Sequence, residues 1–115
     1  MPGIGTETTH GYKLAVAGTM IAEKVKVKTV ANWPDYVFAD AYQLPSLGDV
    51  AKYIREHQRL PEMPSAEEVK QEGIELAEMD KKLLQKIEEL TLYVIKLGEE
   101  NQQLKKEMEE IKATR

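Results

Sequence analysis

The sequence predicts an α+β chain in three parts: short N-terminal β-strands, a small irregular and helical middle part, and a long C-terminal helix in a parallel coiled coil. Apolar and polar residues alternate over residues 12–30, as they do in strands. Aromatic residues and prolines cluster over residues 32–63, and a heptad repeat follows. The predicted boundaries are 1–31, 32–75 and 76–115, and we call residues 32–75 the plug.

The N-terminal part is predicted to hold two β-strands. Leu14 and Val16 occupy alternate positions before Gly18, and Val25 and Val27 alternate with lysines after it. Two isolated strands are marginally stable in water. We therefore expect them to pair with the plug or with other copies of the chain.

The plug is predicted to contain one helix and ordered loops. Ser46 followed by Asp49 has the pattern of a helix N-cap, and the helix is expected to end near Gln58, before Pro61. Trp33 is expected to be buried and to anchor the plug. In the alternative interpretation, the aromatic residues form an exposed surface that contacts a ligand. The aromatic candidates for either role are Trp33, Tyr36, Phe38 and Tyr42.

Two further helices are predicted after Pro64. Ser65 and Glu68 have the spacing of a capping box, which marks the start of a short helix. Gly73 is expected to end that helix with left-handed backbone. The second helix is expected to run from about Leu76 to the end of the chain.

The last helix carries a heptad repeat over four heptads. An aliphatic residue recurs every seven residues from Leu83 to Ile111, and a second series begins at Ile87. The pattern predicts a coiled coil with leucines at d and the second series at a. The apolar seam is narrower than that of a helix packed on a globular core. The predicted oligomer interface consists of Leu76, Leu83, Ile87, Leu90, Val94, Leu97, Asn101, Leu104, Met108 and Ile111.

Composition and spacing argue against several classes of function. The net charge is −4, and the stretch before the heptads is acidic, whereas a zipper that binds DNA needs a basic helix there. No apolar run approaches the roughly 20 residues of a membrane span. The chain has no cysteine, and its histidines, His10 and His57, lack metal-ligand spacing. We expect no nucleic-acid binding, no membrane insertion, no enzyme activity, no catalytic residue, no cofactor and no metal.

Several motifs resemble those of fibre proteins. One group resembles a repeat near the ends of phage tail fibres and bacterial surface fibres, namely Gly3-Ile4-Gly5-Thr6 and Gly11-Tyr12-Lys13-Leu14-Ala15-Val16-Ala17-Gly18. A second group resembles the C-terminal tip of tail-fibre-domain proteins of Bacteroidetes. It comprises residues 33–38, Tyr42-x-Leu44-Pro45-Ser46-Leu47, Leu60-Pro61-x-x-Pro64-Ser65-Ala66 and residues 86–93.

The resemblance implies a trimeric fibre end that acts like an intramolecular chaperone. Its helices would set the register of the chains, and its β-part would cap the stem. The Ser-Asp-x-Arg-Leu-Lys start of self-cleaving tips is absent, so no catalytic residue is carried over. The implied location is a virion tail fibre or a cell surface, as part of a longer chain. The alternative function is a tip that binds a host or cell-surface receptor or a glycan.

Two observations disagree about the number of chains. Ile87 and Val94 at a, leucine at d and Asn101 at a are preferences of a parallel two-stranded coil. The family resemblance and the unpaired strands favour three chains. We therefore expect a homotrimer, with a homodimer as the alternative. Asn101 is expected to lower stability while fixing the register.

Overall fold

The structure, a computed structural model, describes residues 2–28 and 30–114. It measures 80 × 31 × 28 Å along its principal axes, because one helix of 38 residues extends far beyond the rest. None of the helices in the described ranges is both long and apolar enough to cross a bilayer. The elements are β1 (Gly3–Ile4), β2 (Ala15–Val16), a 3-10 helix (Pro34–Phe38), α1 (Leu47–His57), α2 (Ala66–Glu72) and α3 (Leu76–Ala113).

The β-structure is a two-stranded parallel ladder. Gly3 pairs with Ala15, and Ile4 pairs with Val16. The prediction of a second strand over residues 21–28 is wrong for the single chain, because this run forms no strand and Ile21 is 99% exposed. Alternating side chains stabilise a strand only where a neighbouring strand supplies hydrogen bonds, and none lies beside these residues in the described part of the chain.

The boundaries of α1 follow the predicted signals. The Ser46 hydroxyl accepts a hydrogen bond of 3.1 Å from the backbone N–H of Asp49, which satisfies one of the free donors at the helix start. The helix ends at Gln58, which adopts a left-handed conformation with φ 55°. The predicted start and end of this helix are therefore confirmed.

The capping box of α2 is also confirmed. The Ser65 hydroxyl accepts from the Glu68 N–H at 3.1 Å, and the Glu68 carboxylate accepts from the Ser65 N–H at 3.3 Å. These hydrogen bonds to Ser65 lower the pKa of Glu68. Gly73 ends the helix with φ 71° and ψ −169°, so its φ is positive as expected while its ψ lies outside the left-handed helical region. Glu75 then caps α3 with its own carboxylate.

The plug rests on α3 through the 3-10 helix, and not through Trp33. A 3-10 helix has about three residues per turn, so Pro34 and Val37 share one face. Both are fully buried, whereas Trp33 is 49% exposed and Phe38 is 53% exposed. The prediction that Trp33 is a buried anchor is wrong, because the register of this short helix turns Pro34 and Val37 inward instead.

Candidate assembly surface

The predicted interface residues form an exposed stripe on α3, which we call the heptad stripe. Residues three and four apart lie on one face of a helix with 3.6 residues per turn. The apolar members are between 45% exposed, at Leu83, and 63% exposed, at Leu76 and Leu104. Asn101 is exposed in the same row. No other part of the described chain therefore buries this long apolar surface.

The plug packs on the opposite face of α3. The α3 residues that are buried there are polar: Gln85, Glu88 and Glu89. Gln85 follows Leu83 by two positions, and Glu89 follows Ile87 by two, which places each about 200° around the helix from the stripe. Folding of the plug thus leaves the heptad stripe exposed.

A chain of hydrogen bonds fastens the plug to this polar face. The Tyr36 hydroxyl donates to Oε1 of Gln85 at 2.6 Å, and Nε2 of Gln85 donates to the Tyr42 hydroxyl at 3.3 Å. The Tyr42 hydroxyl in turn donates to the Glu89 carboxylate. Nζ of Lys86 lies 3.1 Å from Oε1 of Glu89 and offsets its charge. Tyr36 and Tyr42 are therefore hydrogen-bonded contacts between plug and helix, although Tyr36 remains 41% exposed.

Protonation of Tyr42 is maintained by its surroundings. Burial raises the pKa of Tyr42 well above its ordinary value, and the hydrogen bond to Glu89 and the charge of that carboxylate raise it further. Ionisation of the hydroxyl, which an ordinary tyrosine undergoes only in alkaline solution, is therefore disfavoured further. This keeps the contact with Glu89 intact.

Glu88 is the least satisfied group between plug and helix. Its side chain is buried, and its Oε1 has no hydrogen-bond partner among the described residues. Burial raises the pKa of Glu88, and the negative charge of Asp35 raises it further. An ionised carboxylate is costly in such a place, so Glu88 opposes docking of the plug when it is charged.

An apolar groove runs beside the heptad stripe. Its volume is about 430 Å³, and it continues into a second groove of about 390 Å³ that reaches Leu97. The Tyr93 hydroxyl donates to the Pro45 carbonyl and holds the plug loop at the edge of both grooves. The plug residues that line the larger groove are Pro45, Leu47, Val50, Leu60 and Pro61, and its apolar α3 residues are Leu83, Ile87 and Leu90.

Charges beside the stripe distinguish parallel from antiparallel pairing. In the heptad frame Glu100 and Glu107 occupy g, and Lys105 and Lys112 occupy e. In a parallel coil, g faces the e position of the following heptad of the neighbour, so each Glu meets a Lys. In an antiparallel coil, g faces g, and Glu meets Glu. The flanking charges therefore favour the parallel arrangement.

The buried polar residues of α3 were not foreseen as contacts. Gln85, Glu88 and Glu89 lie at f, b and c of the heptad, respectively, which are solvent-facing in an isolated coiled coil. Nothing in the heptad pattern marks them as a second interface. The available signal was the cluster of tyrosines in the plug, because buried tyrosine hydroxyls need polar partners.

Comparison of the chain with protein-family models, curated proteins and solved structures found no match. Among residues 2–28 and 30–114, no three His, Cys, Asp or Glu side chains are grouped so that they could hold a metal ion. The heptad stripe and its flanking grooves are therefore the features from which a function is inferred.

Proposed function

We propose that this chain is a parallel self-assembly module in which three copies associate through the heptad stripe of α3. One observation carries the proposal: the entire stripe is exposed while the plug is folded on the opposite face of the same helix. A helix in this arrangement binds two sets of partners at once. The plug occupies the polar face, and the neighbouring chains occupy the apolar face.

The balance of surface and core supports association. The chain exposes 10132 Å², whereas a compact monomer of its mass, 13.1 kDa, exposes about 6,400 Å². The fully buried apolar side chains in the described ranges are Pro34 and Val37. So small a core offsets little of the conformational entropy lost on folding. Covering the heptad stripe supplies the missing apolar burial.

The apolar surface widens beyond the a and d seam at one level of α3, and this local widening supports three chains over two. A two-stranded seam needs a and d positions alone, whereas a bundle helix is apolar at a, d and one flank. Here the flank at g carries Tyr93 and the apolar groove formed with Pro45 and Leu47. A third helix has room to contact this flank. Ile87 and Val94 at a favour two strands, so the homodimer is the alternative.

The setting that we propose for the module is the end of a fibrous protein on a virion tail fibre or a cell surface. This part of the proposal comes from the motif resemblance. The elongated shape is compatible with it, because the 38-residue α3 extends well past the plug. In that setting the coiled coil would bring the chains into register, and the N-terminal β-part would cap the stem.

Disulfide trapping tests the parallel, in-register arrangement. The native chain has no cysteine, so a single Asn101→Cys variant contains one thiol per chain. In a parallel coil equivalent a positions meet near the axis, and oxidation should yield covalently linked pairs. Glu99→Cys is the matched control, since its f position faces outward. Absence of trapping at position 101, or equal trapping at both positions, would contradict the proposal.

A second candidate function is binding of a receptor or a glycan by the exposed aromatic residues of the plug. Trp33 and Phe38 flank the inward-facing Pro34 and Val37, and each exposes about half of its surface. Trp33 caps the start of the 3-10 helix and Phe38 is its last residue, and this helix packs on α3 away from the heptad stripe. Because Trp33 is the only tryptophan, a glycan that stacks on it would change the fluorescence of the whole protein. An unchanged emission spectrum across a glycan panel would remove this candidate.

A further inference from the structure

Gly98 lies in the middle of α3, where nothing within the chain requires a glycine. Glycine in a helix interior is less favourable than alanine by about 1 kcal/mol. A Cβ added at Gly98 would meet no atom within 4 Å. The single chain thus carries a helix-weakening residue without any local benefit.

The position of Gly98 in the heptad frame identifies what would approach it. Gly98 follows Leu97 at d and therefore occupies e. It lines an open groove of about 540 Å³ together with Val94, Leu97 and Asn101 of the heptad stripe. In a parallel coil, e faces the g residue of the preceding heptad of the neighbour. That residue is Tyr93.

Tyr93 is the largest g residue, and it is held in place by the plug. Its hydroxyl donates to the Pro45 carbonyl, so the ring is fixed beside Pro45 along the stripe. Burial raises the pKa of Tyr93, and the charge of Glu89 raises it further, so the hydroxyl stays protonated as a donor. The bulkiest flank residue of one chain therefore faces the smallest flank residue of the next.

We propose that Gly98 is the docking point for Tyr93 and Pro45 of a neighbouring copy of this chain. This inference rests on the proposed parallel assembly and adds that the plug of one chain contacts the helix of the next. The absent side chain at Gly98 provides the space for the Tyr93 ring. A shift by one heptad would place Tyr93 against Thr91 or Lys105 instead, so the contact also selects the register.

Substitution of Gly98 tests this docking, because helix propensity alone predicts stronger self-association of the variants, whereas the proposal predicts weaker self-association. Gly98→Ala and Gly98→Gln both favour the helix in an isolated chain. If Tyr93 of the neighbour fills the space, both variants weaken self-association, and Gly98→Gln raises the dissociation constant about tenfold or more. Sedimentation equilibrium over a range of concentrations measures the constant. Glu99→Gln is the matched control at the adjacent outward position, and circular dichroism verifies that the variants remain helical.

A double variant identifies Tyr93 as the neighbouring group. In a Tyr93→Ala background, Gly98→Gln should lose most of its effect, because the space is vacant. An equal effect in both backgrounds, or tighter association of Gly98→Gln, would overturn the docking while leaving parallel assembly intact. A wild-type protein that does not associate at all would overturn both proposals together.

Discussion

The Tyr36 hydroxyl donates a hydrogen bond of 2.6 Å to Oε1 of Gln85, and this contact joins the plug to α3. Gln85 lies about 200° around the helix from Leu83 of the heptad stripe. The hydrogen bonds of the plug therefore use the polar face of α3, and the heptad stripe stays exposed. This division lets folding of the plug and association of the helices be tested separately.

Removal of the Gln85 side chain should loosen the plug. Gln85→Ala removes the acceptor of the partly buried Tyr36 hydroxyl, and we expect the free energy of unfolding to fall by about 1 kcal/mol. Urea denaturation followed by circular dichroism measures the change. Gln102→Ala is the matched control, since Gln102 is exposed on the same helix. Equal stability of the two variants would show that the Tyr36–Gln85 contact does not hold the plug.

The local signals in the sequence predicted helix boundaries well. Ser46 and Ser65 cap α1 and α2 as expected, because a capping hydrogen bond depends on residues only three positions apart. The long helix α3 was also predictable, because its apolar residues recur every seven positions. These features depend on residues that lie close to one another in the sequence.

Features that depend on distant contacts were not predictable in the same way. The burial of Gln85 and Glu88 requires the plug to lie on a face that the heptad frame assigns to solvent. The inward turn of Val37, and the exposure of Trp33, depend on the register of a single 3-10 turn. The alternating run at residues 21–28 lacks a partner strand within the chain, so its pattern alone does not make it a strand.

The buried Glu88 predicts how stability changes with pH. Its pKa in the folded state is raised by burial and then by Asp35, so its contribution is fully favourable below the ordinary carboxyl range. That contribution is lost as the pH rises through the raised pKa, because ionisation is harder in the folded state. Glu88→Gln cannot ionise and should be more stable than wild type at neutral pH. The advantage should shrink in acid.

Urea denaturation at several pH values measures this difference. Glu99→Gln is the control, because Glu99 is exposed on the same helix and should show no comparable dependence on pH. A stability difference between Glu88→Gln and wild type that stays constant from acid to neutral pH would contradict the assignment. The same result in the control would assign the effect to overall charge.

Trp33 should remain accessible in the assembled protein. The 3-10 helix packs on α3 away from the heptad stripe, so association does not cover it. Acrylamide should quench the single tryptophan efficiently at concentrations where the protein is associated. Trp33→Ala should cost about 1 kcal/mol or less, as expected for a partly exposed side chain. Protection of Trp33 from acrylamide would instead place this residue in an interface.

The mass of the native protein in solution tests the central claim most directly. Sedimentation equilibrium or light scattering should give about three times the chain mass of 13.1 kDa, falling toward the monomer mass on dilution. A mass of two chains would contradict the trimer and leave the homodimer as the form of the assembly. A monomer mass at high concentration would contradict self-assembly itself, because the exposed heptad stripe would then have no copy of the chain to cover it.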